Sequence, residues 1–245
     1  LPPRSSRARI VIVVGALLFT SDMKRSLPFL VLVSSFVFAA DPAAPVTVIC
    51  LPDKCIASES FDAPASFATE KQSGTEGWRG GIGKWSIKDG AAYAIQEGPS
   101  EKRPNGHEAV CEHIVDLGDL VLIGEFKLGP SPQIGFVCRD TNKPNHHQGR
   151  VVITPTAIWI QKMSGIAKET RREELKKIDV KLDPNTWHKI TLEVCGDRFF
   201  AKIDNHTLEA THERFKDRKG RVGMVARAEG AQFRNLALWS AKPKP

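Results

Sequence analysis

The chain has 245 residues, 41% of them hydrophobic and 26% charged, an ordinary globular composition that speaks against a disordered or fibrous protein. Much of its formal charge of +7 sits at the start: residues 1–39 carry Arg4, Arg7, Arg9, Lys24 and Arg25 against Asp22 alone, leaving 30 bases and 27 acids in the remainder. Such a mixed balance offers no clustered basic stripe for phosphate, so nucleic acid is not an expected partner.

Residues 1–22 begin with Leu1 and contain an apolar run from Ile10 to Phe19. They are read as lying upstream of a start at Met23, in preference to an anchor helix. Met23-Lys24-Arg25 is followed by the apolar stretch Leu27–Phe38, with Val37 and Ala39 as the small residues before a cleavage point. Residues 23–39 therefore have the pattern of a secretory signal peptide, too short for a membrane span of ~20 residues. Secretion or periplasmic export is expected, with removal near Ala39 and no transmembrane span in the mature chain.

Residues 40–58, with Pro42, Pro45 and Pro52, read as a linker, and 59–241 as a β-sandwich domain. The five cysteines all lie after residue 40. Their number leaves one unpaired in an oxidising compartment. Cys50 and Cys55 are near enough in sequence to close a small loop, whereas Cys111, Cys138 and Cys195 fall within strands and are expected as buried thiols. No Cys/His zinc spacing is present.

From there the pattern is one of short strands. Trp85–Ile87 and Ala91–Ile95 flank Asp89-Gly90, the residues a tight hairpin prefers. Glu108–Val115 and Leu120–Leu128 are separated by Asp116–Asp119, and Gln133–Arg139, Arg150–Thr154 and Ala157–Gln161 follow. In Trp187–Cys195, Ile190, Leu192 and Val194 alternate with Lys189, Thr191 and Glu193, the period of a half-buried strand. Arg198–Ile203, Thr207–Thr211, Val222–Arg227 and Phe233–Trp239 complete the series. Lys168–Lys177 reads as helix, solvated loop or edge strand. Regularly spaced strands without βαβ alternation predict an all-β, two-sheet antiparallel jelly-roll sandwich, with a closed barrel as the alternative.

Several segments also resemble a known family. Trp85-Ser-Ile-Lys-Asp-Gly90 is similar to the W-x-I-x-D-G opening of the 3-keto-disaccharide hydrolase family, whose domains have a concanavalin-A-like jelly-roll fold. Gly124–Leu128 with Gly135–Arg139, Trp187–Asp197 with Phe200–Asn205, Gly220–Gly223 and Phe233–Leu238 resemble its later strands. The likeness covers roughly 58–240, departing where Asn205-His206 stands for the family's Asn-Gly. It implies an exported domain that cleaves glycosides oxidised at C3. The paired-carboxylate strand E-x-D-x-x-E of fold-related glucanases is absent, which argues against a retaining glucanase.

The polar stretch Arg139–Arg150 carries the candidate chemistry. The C3 ketone acidifies the C2 hydrogen, and histidine is a base of suitable strength. His107 and His147 are candidates for that role, with Asp140 as the acid that protonates the leaving oxygen. Arg150, presented opposite Val151 and Ile153, or a divalent metal on His146 and His147, would stabilise the enolate oxygen. Trp78, in a glycine-rich stretch, and Arg139 are candidate saccharide contacts. Against this stands the plainer reading that loop histidines are solvated and that Glu125 and Glu193 are ordinary outward charges of a sheet. Two functions follow: an enzyme acting on 3-keto-glycosides, or a non-catalytic carbohydrate-binding or envelope-interaction module. A carbohydrate or glycoside is the partner in either saccharide reading.

Overall fold

Alternating apolar residues place one face of each strand inward, and the resulting strands pack as two layers. A computed structural model describes residues 10–14, 34–38, 42–63, 67–68, 77–140, 147–165 and 169–245. The chain divides into two units, Leu1–Pro42 and Ala43–Pro245. In the first, β1 (Ile10–Val14) pairs antiparallel with β2 (Ser34–Phe38), Ile10 opposite Phe38. The other residues of the expected signal-peptide segment, the residues before β1 and the expected cleavage point lie outside the described residues.

In the second unit the strands are β3 (Cys50–Glu59), β4 (Phe67–Ala68), β5 (Trp78–Ile82), β6 (Lys84–Lys88), β7 (Ala91–Ile95), β8 (Ala109–Leu117), β9 (Asp119–Lys127), β10 (Ile134–Asp140), β11 (His147–Ile153), β12 (Ala157–Ser164), β13 (Arg171–Asp179), β14 (His188–Cys195), β15 (Arg198–Ile203), β16 (His206–Thr211), β17 (Lys219–Ala226) and β18 (Glu229–Pro243). One sheet has the order β13-β12-β11-β10-β17-β8-β5-β4. The other runs β16-β15-β14-β9-β18-β7-β6, with β3 also on β18. Among the described pairings only β4 with β5 is parallel. This is the two-sheet antiparallel jelly-roll sandwich that the strand pattern predicts.

The hairpin between β6 and β7 turns on Asp89 (φ 52°) and Gly90 (φ 69°), the positive φ values that Asp-Gly accommodates at low cost. The core between the sheets is aromatic at its centre. Phe136 from β10 meets Phe233 from β18 edge-on, with centroids 5.9 Å apart, and Phe126 lies 6.2 Å from Phe136. These rings join the two layers.

Two expectations are corrected here. Residues 50–58 are not linker: they form β3, whose ladder with β18 runs from Leu236↔Glu59 to Pro243↔Cys50. Cys50 and Cys55 are both free thiols. They lie on one extended strand, which at ~3.3 Å per residue separates their Cα atoms far beyond disulfide reach. The Cys50 thiol instead faces Cys195, and burial followed by that neighbour pushes its pKa far up, so it stays protonated. Of the three readings left open for Lys168–Lys177, the edge strand is the one found, over residues 171–179, with Lys168 outside the described residues.

Candidate functional site

The sheet containing β8, β17, β10 and β11 turns its other face outward, and there period-two alternation collects polar groups around an apolar strip. Val110, Val137 and Val225 pack together from adjacent strands, with Ile82 against them, as a small cluster separate from the main core. They floor a cleft of about 1060 Å³. Its walls include His107, Glu108, Glu112, Arg139, His147, Arg150, Arg221 and Arg227. Arg150 lies on the face opposite Val151 and Ile153, which belong to the main core.

Two carboxylates organise the walls. Glu108 accepts a hydrogen bond from Arg150 Nη1 at 2.9 Å and another from Arg227 Nε at 2.9 Å, while Gln133 Nε2 stands 3.3 Å away. Glu112 accepts from Arg139 Nε, and its second oxygen is 3.5 Å from Arg221 Nη1. Gly223 is directly across from Glu112. A Cβ at Gly223 would come within 2.6 Å of Glu112 Cγ, so glycine makes the space in which that side chain lies. Burial works to raise the Glu108 pKa, but Arg150 and Arg227 outweigh it and hold the carboxyl below its ordinary value. At neutral pH Glu108 is therefore an anion and not a proton donor.

His147 is committed to the same network. Its Nε2 lies 3.0 Å from Arg139 Nη1, which donates to it, and its Nδ1 lies 3.3 Å from the Gly165 carbonyl, to which it donates. Burial, then the Arg139 charge, lowers its pKa to about 3 from an ordinary 6.5. With Nε2 filled, His147 has no lone pair for a metal or for a substrate proton, which corrects both roles expected of it. His146 lies outside the described residues. Among the described residues no group of three or more His, Cys, Asp or Glu side chains is arranged to hold a metal ion.

This arrangement has a pH signature. Below pH 6.5 the unfolded chain binds a proton at His147 that the folded chain refuses until about pH 3, so stability falls as pH is lowered through this window. His147→Gln should make the fall shallower by up to about 1.4 kcal/mol per pH unit. Urea unfolding of both proteins between pH 6 and pH 4 measures it; parallel curves would place the histidine in a less buried setting.

The other expected residues divide. His107 lines the cleft, its Nδ1 donating to the Glu108 carbonyl at 2.8 Å, which leaves Nε2 as the acceptor in the neutral ring. Asp140 does not line it. Alternation turns it away from Arg139, and it lies buried with an oxygen 3.4 Å from Arg214 Nη2. The expected role of Asp140 as the acid thus has no geometric support. Trp78 is only 1% exposed, sits in the main core and packs edge-on to His113 with centroids 5.6 Å apart. Its strand points it inward, so it cannot stack on a saccharide in the cleft. Glu108, Glu112, Arg221 and Arg227 were not singled out from the sequence. Their signal was charge alternating with valine on strands that turn out to be central.

No protein-family model and no curated protein matches the chain. Among solved structures, a carbohydrate-binding module from Bacillus subtilis is similar with a TM-score of 0.54 at 14% identity, covering 71% of this chain and 99% of the module. A β-glucanase from Bacillus licheniformis has a TM-score of 0.47 at 9% identity, over 81% of this chain and 94% of the enzyme. A galectin-like protein from Bacillus subtilis has a TM-score of 0.49 at 12% identity, over 78% and 98%. At these identities the first similarity speaks for the concanavalin-A-like jelly-roll fold alone.

Proposed function

We propose that this chain is an exported carbohydrate-binding module whose ligand lies in the cleft on the β8–β17–β10–β11 sheet. The observation that carries the reading is the cleft's construction: an aliphatic floor with fixed guanidinium and carboxylate groups around it. Aliphatic side chains accept the C–H face of a sugar ring, while the polar rim addresses its hydroxyl groups. Fold likeness to a carbohydrate-binding module supports the reading by analogy. The signal-peptide pattern of residues 23–39 supports export. Glu108, held ionised by two arginines, and His147, with its acceptor nitrogen filled, favour binding over proton transfer.

A second reading has one specific observation in its favour. His107 and Arg150 line the same cleft, so a base for a C2 hydrogen and a cation for an enolate oxygen are on hand. This is the arrangement that the resemblance to 3-keto-disaccharide hydrolases calls for, without its expected acid. The two readings part in one experiment. The purified chain is screened against a panel of neutral and acidic glycans, and separately incubated with a 3-keto-disaccharide and its unoxidised parent. Saccharide binding without sugar release is the expected result. Replacing the half-exposed Arg227 by alanine should weaken that binding about tenfold, or ~1.4 kcal/mol. Release of free sugar from the keto compound alone would replace the binding module with the hydrolase.

A further inference from the structure

Resting on the saccharide-binding reading, we propose that the cleft selects an acidic saccharide, one carrying a carboxylate or a sulfate ester on its sugar ring. The argument begins with an imbalance. Among the described lining residues six arginines and one lysine stand against two carboxylates, Glu108 and Glu112, and Arg103 is offset from outside the lining, by Glu97. That excess is larger than the excess of the whole chain after residue 39, with its 30 bases and 27 acids. Cations are therefore gathered on this face beyond what solubility asks of a surface.

They are also gathered where charge is costly. Arg150 is 4% exposed, and its Nε has no hydrogen-bond partner among the described residues. Glu108 is shared by Arg150 and Arg227, so among the described residues that cluster keeps one positive charge without a matching carboxylate. Arg172, exposed on β13 at the cleft wall, adds its charge and acts against Arg150. A neutral sugar supplies hydroxyl groups but leaves this repulsion in place. An oxyanion removes it, and the planar fork of a guanidinium matches a carboxylate or sulfate with paired hydrogen bonds.

Size and floor narrow the class further. At about 1060 Å³ the cleft is far larger than a free inorganic anion requires. No Phe, Tyr or Trp is among the described lining residues, so they offer no stacking platform of the kind single-stranded nucleic acid depends on. The aliphatic strip of Val110, Val137 and Val225 suits a saturated ring.

The test is calorimetric titration of the full chain against five probes. These are an oligogalacturonate, the same oligomer with its carboxyls methyl-esterified, a sulfated galactan oligomer, its desulfated counterpart, and a single-stranded oligonucleotide. At least one acidic saccharide is expected to bind about tenfold or more tighter than its neutral counterpart, and to weaken as salt is raised. Whichever of the two acids binds identifies the source of the oxyanion. Arg172→Glu, at an exposed position where the unfolding midpoint should be unchanged, is expected to cost a further tenfold or so with that acid and little with its neutral form. Three outcomes overturn the selectivity while leaving saccharide binding standing. They are equal binding of acidic and neutral forms, binding of neutral forms alone, and an unchanged acid affinity in the Arg172 variant. Tighter binding of the oligonucleotide than of every saccharide overturns it in favour of a nucleic-acid partner. Failure of all the saccharides removes the saccharide reading itself and this inference with it.

Discussion

Replacing Glu193 by alanine is expected to destabilise the sandwich by about 3–5 kcal/mol, the range for an uncompensated buried polar cluster. Glu193 is fully buried, yet its carboxylate accepts no side-chain hydrogen bond among the described contacts. Its oxygens take three backbone N–H groups: Val48 at 2.7 Å, Ile49 at 2.7 Å and Cys50 at 2.8 Å. Around them Ile49, Cys50, Val121, Phe200 and Trp239 form a second apolar cluster on the outer face of this sheet. Alanine would leave three donors facing a hydrophobic cavity, each costing roughly 1–3 kcal/mol before the segment relaxes. Glutamine keeps the shape but turns a donor toward a donor, so an intermediate loss is expected. Urea unfolding measures both, and hydrogen exchange should show faster exchange first in residues 48–59. A loss below about 1 kcal/mol for the alanine variant would mean that the segment is held by β3 pairing alone.

A second large effect is expected in the cleft. Glu108→Ala removes the partner of Arg150, whose side chain is 5% exposed, and should cost about 3 kcal/mol or more by leaving a buried cation unopposed. Arg150→Met should cost less, because methionine fills the space without charge, whereas Glu108 keeps Arg227. The double substitution Glu108→Ala with Arg150→Met should recover much of the loss of Glu108→Ala. The sign of the coupling is what the cycle reads. Additive losses would mean that water reaches Arg150 freely and that the pair is a surface contact.

Much of the architecture was legible in the sequence, and the residues show why. Period-two alternation in Trp187–Cys195 and the Asp-Gly hairpin are local signals, fixed by backbone geometry whatever the rest of the chain does. The misreadings are all questions of what lies on top of a face. Glu193 does point to the outer face of its sheet, as alternation requires, but residues 48–50 cover it, and nothing local in a proline-containing segment announces that it will pair with β18. Trp78 reads as a candidate saccharide contact because glycines surround it. Its strand instead joins the sheet edge beside β8 and turns the ring inward. His147 and Arg139 carry the right chemistry for a site. Their distance from each other, 3.0 Å between Nε2 and Nη1, is what withdraws the histidine from catalysis. The arginine clusters have no local sequence signal, because Glu108, Arg139, Arg150, Arg221 and Arg227 are scattered over more than a hundred positions and meet only through sheet order.

The ladder between β3 and β18 brings Pro243 opposite Cys50, and the Lys244 amide donates to the Ile49 carbonyl at 3.1 Å. Both ends of the sandwich thus leave from one spot, on the sheet that does not bear the cleft. A short linker could splice these ends, and a circular permutant reopened at the half-buried Gly196-Asp197 turn would retain every strand pairing. Equally, a tether or partner domain attached at either end would hang from the back of the module, with the arginine face directed away from it.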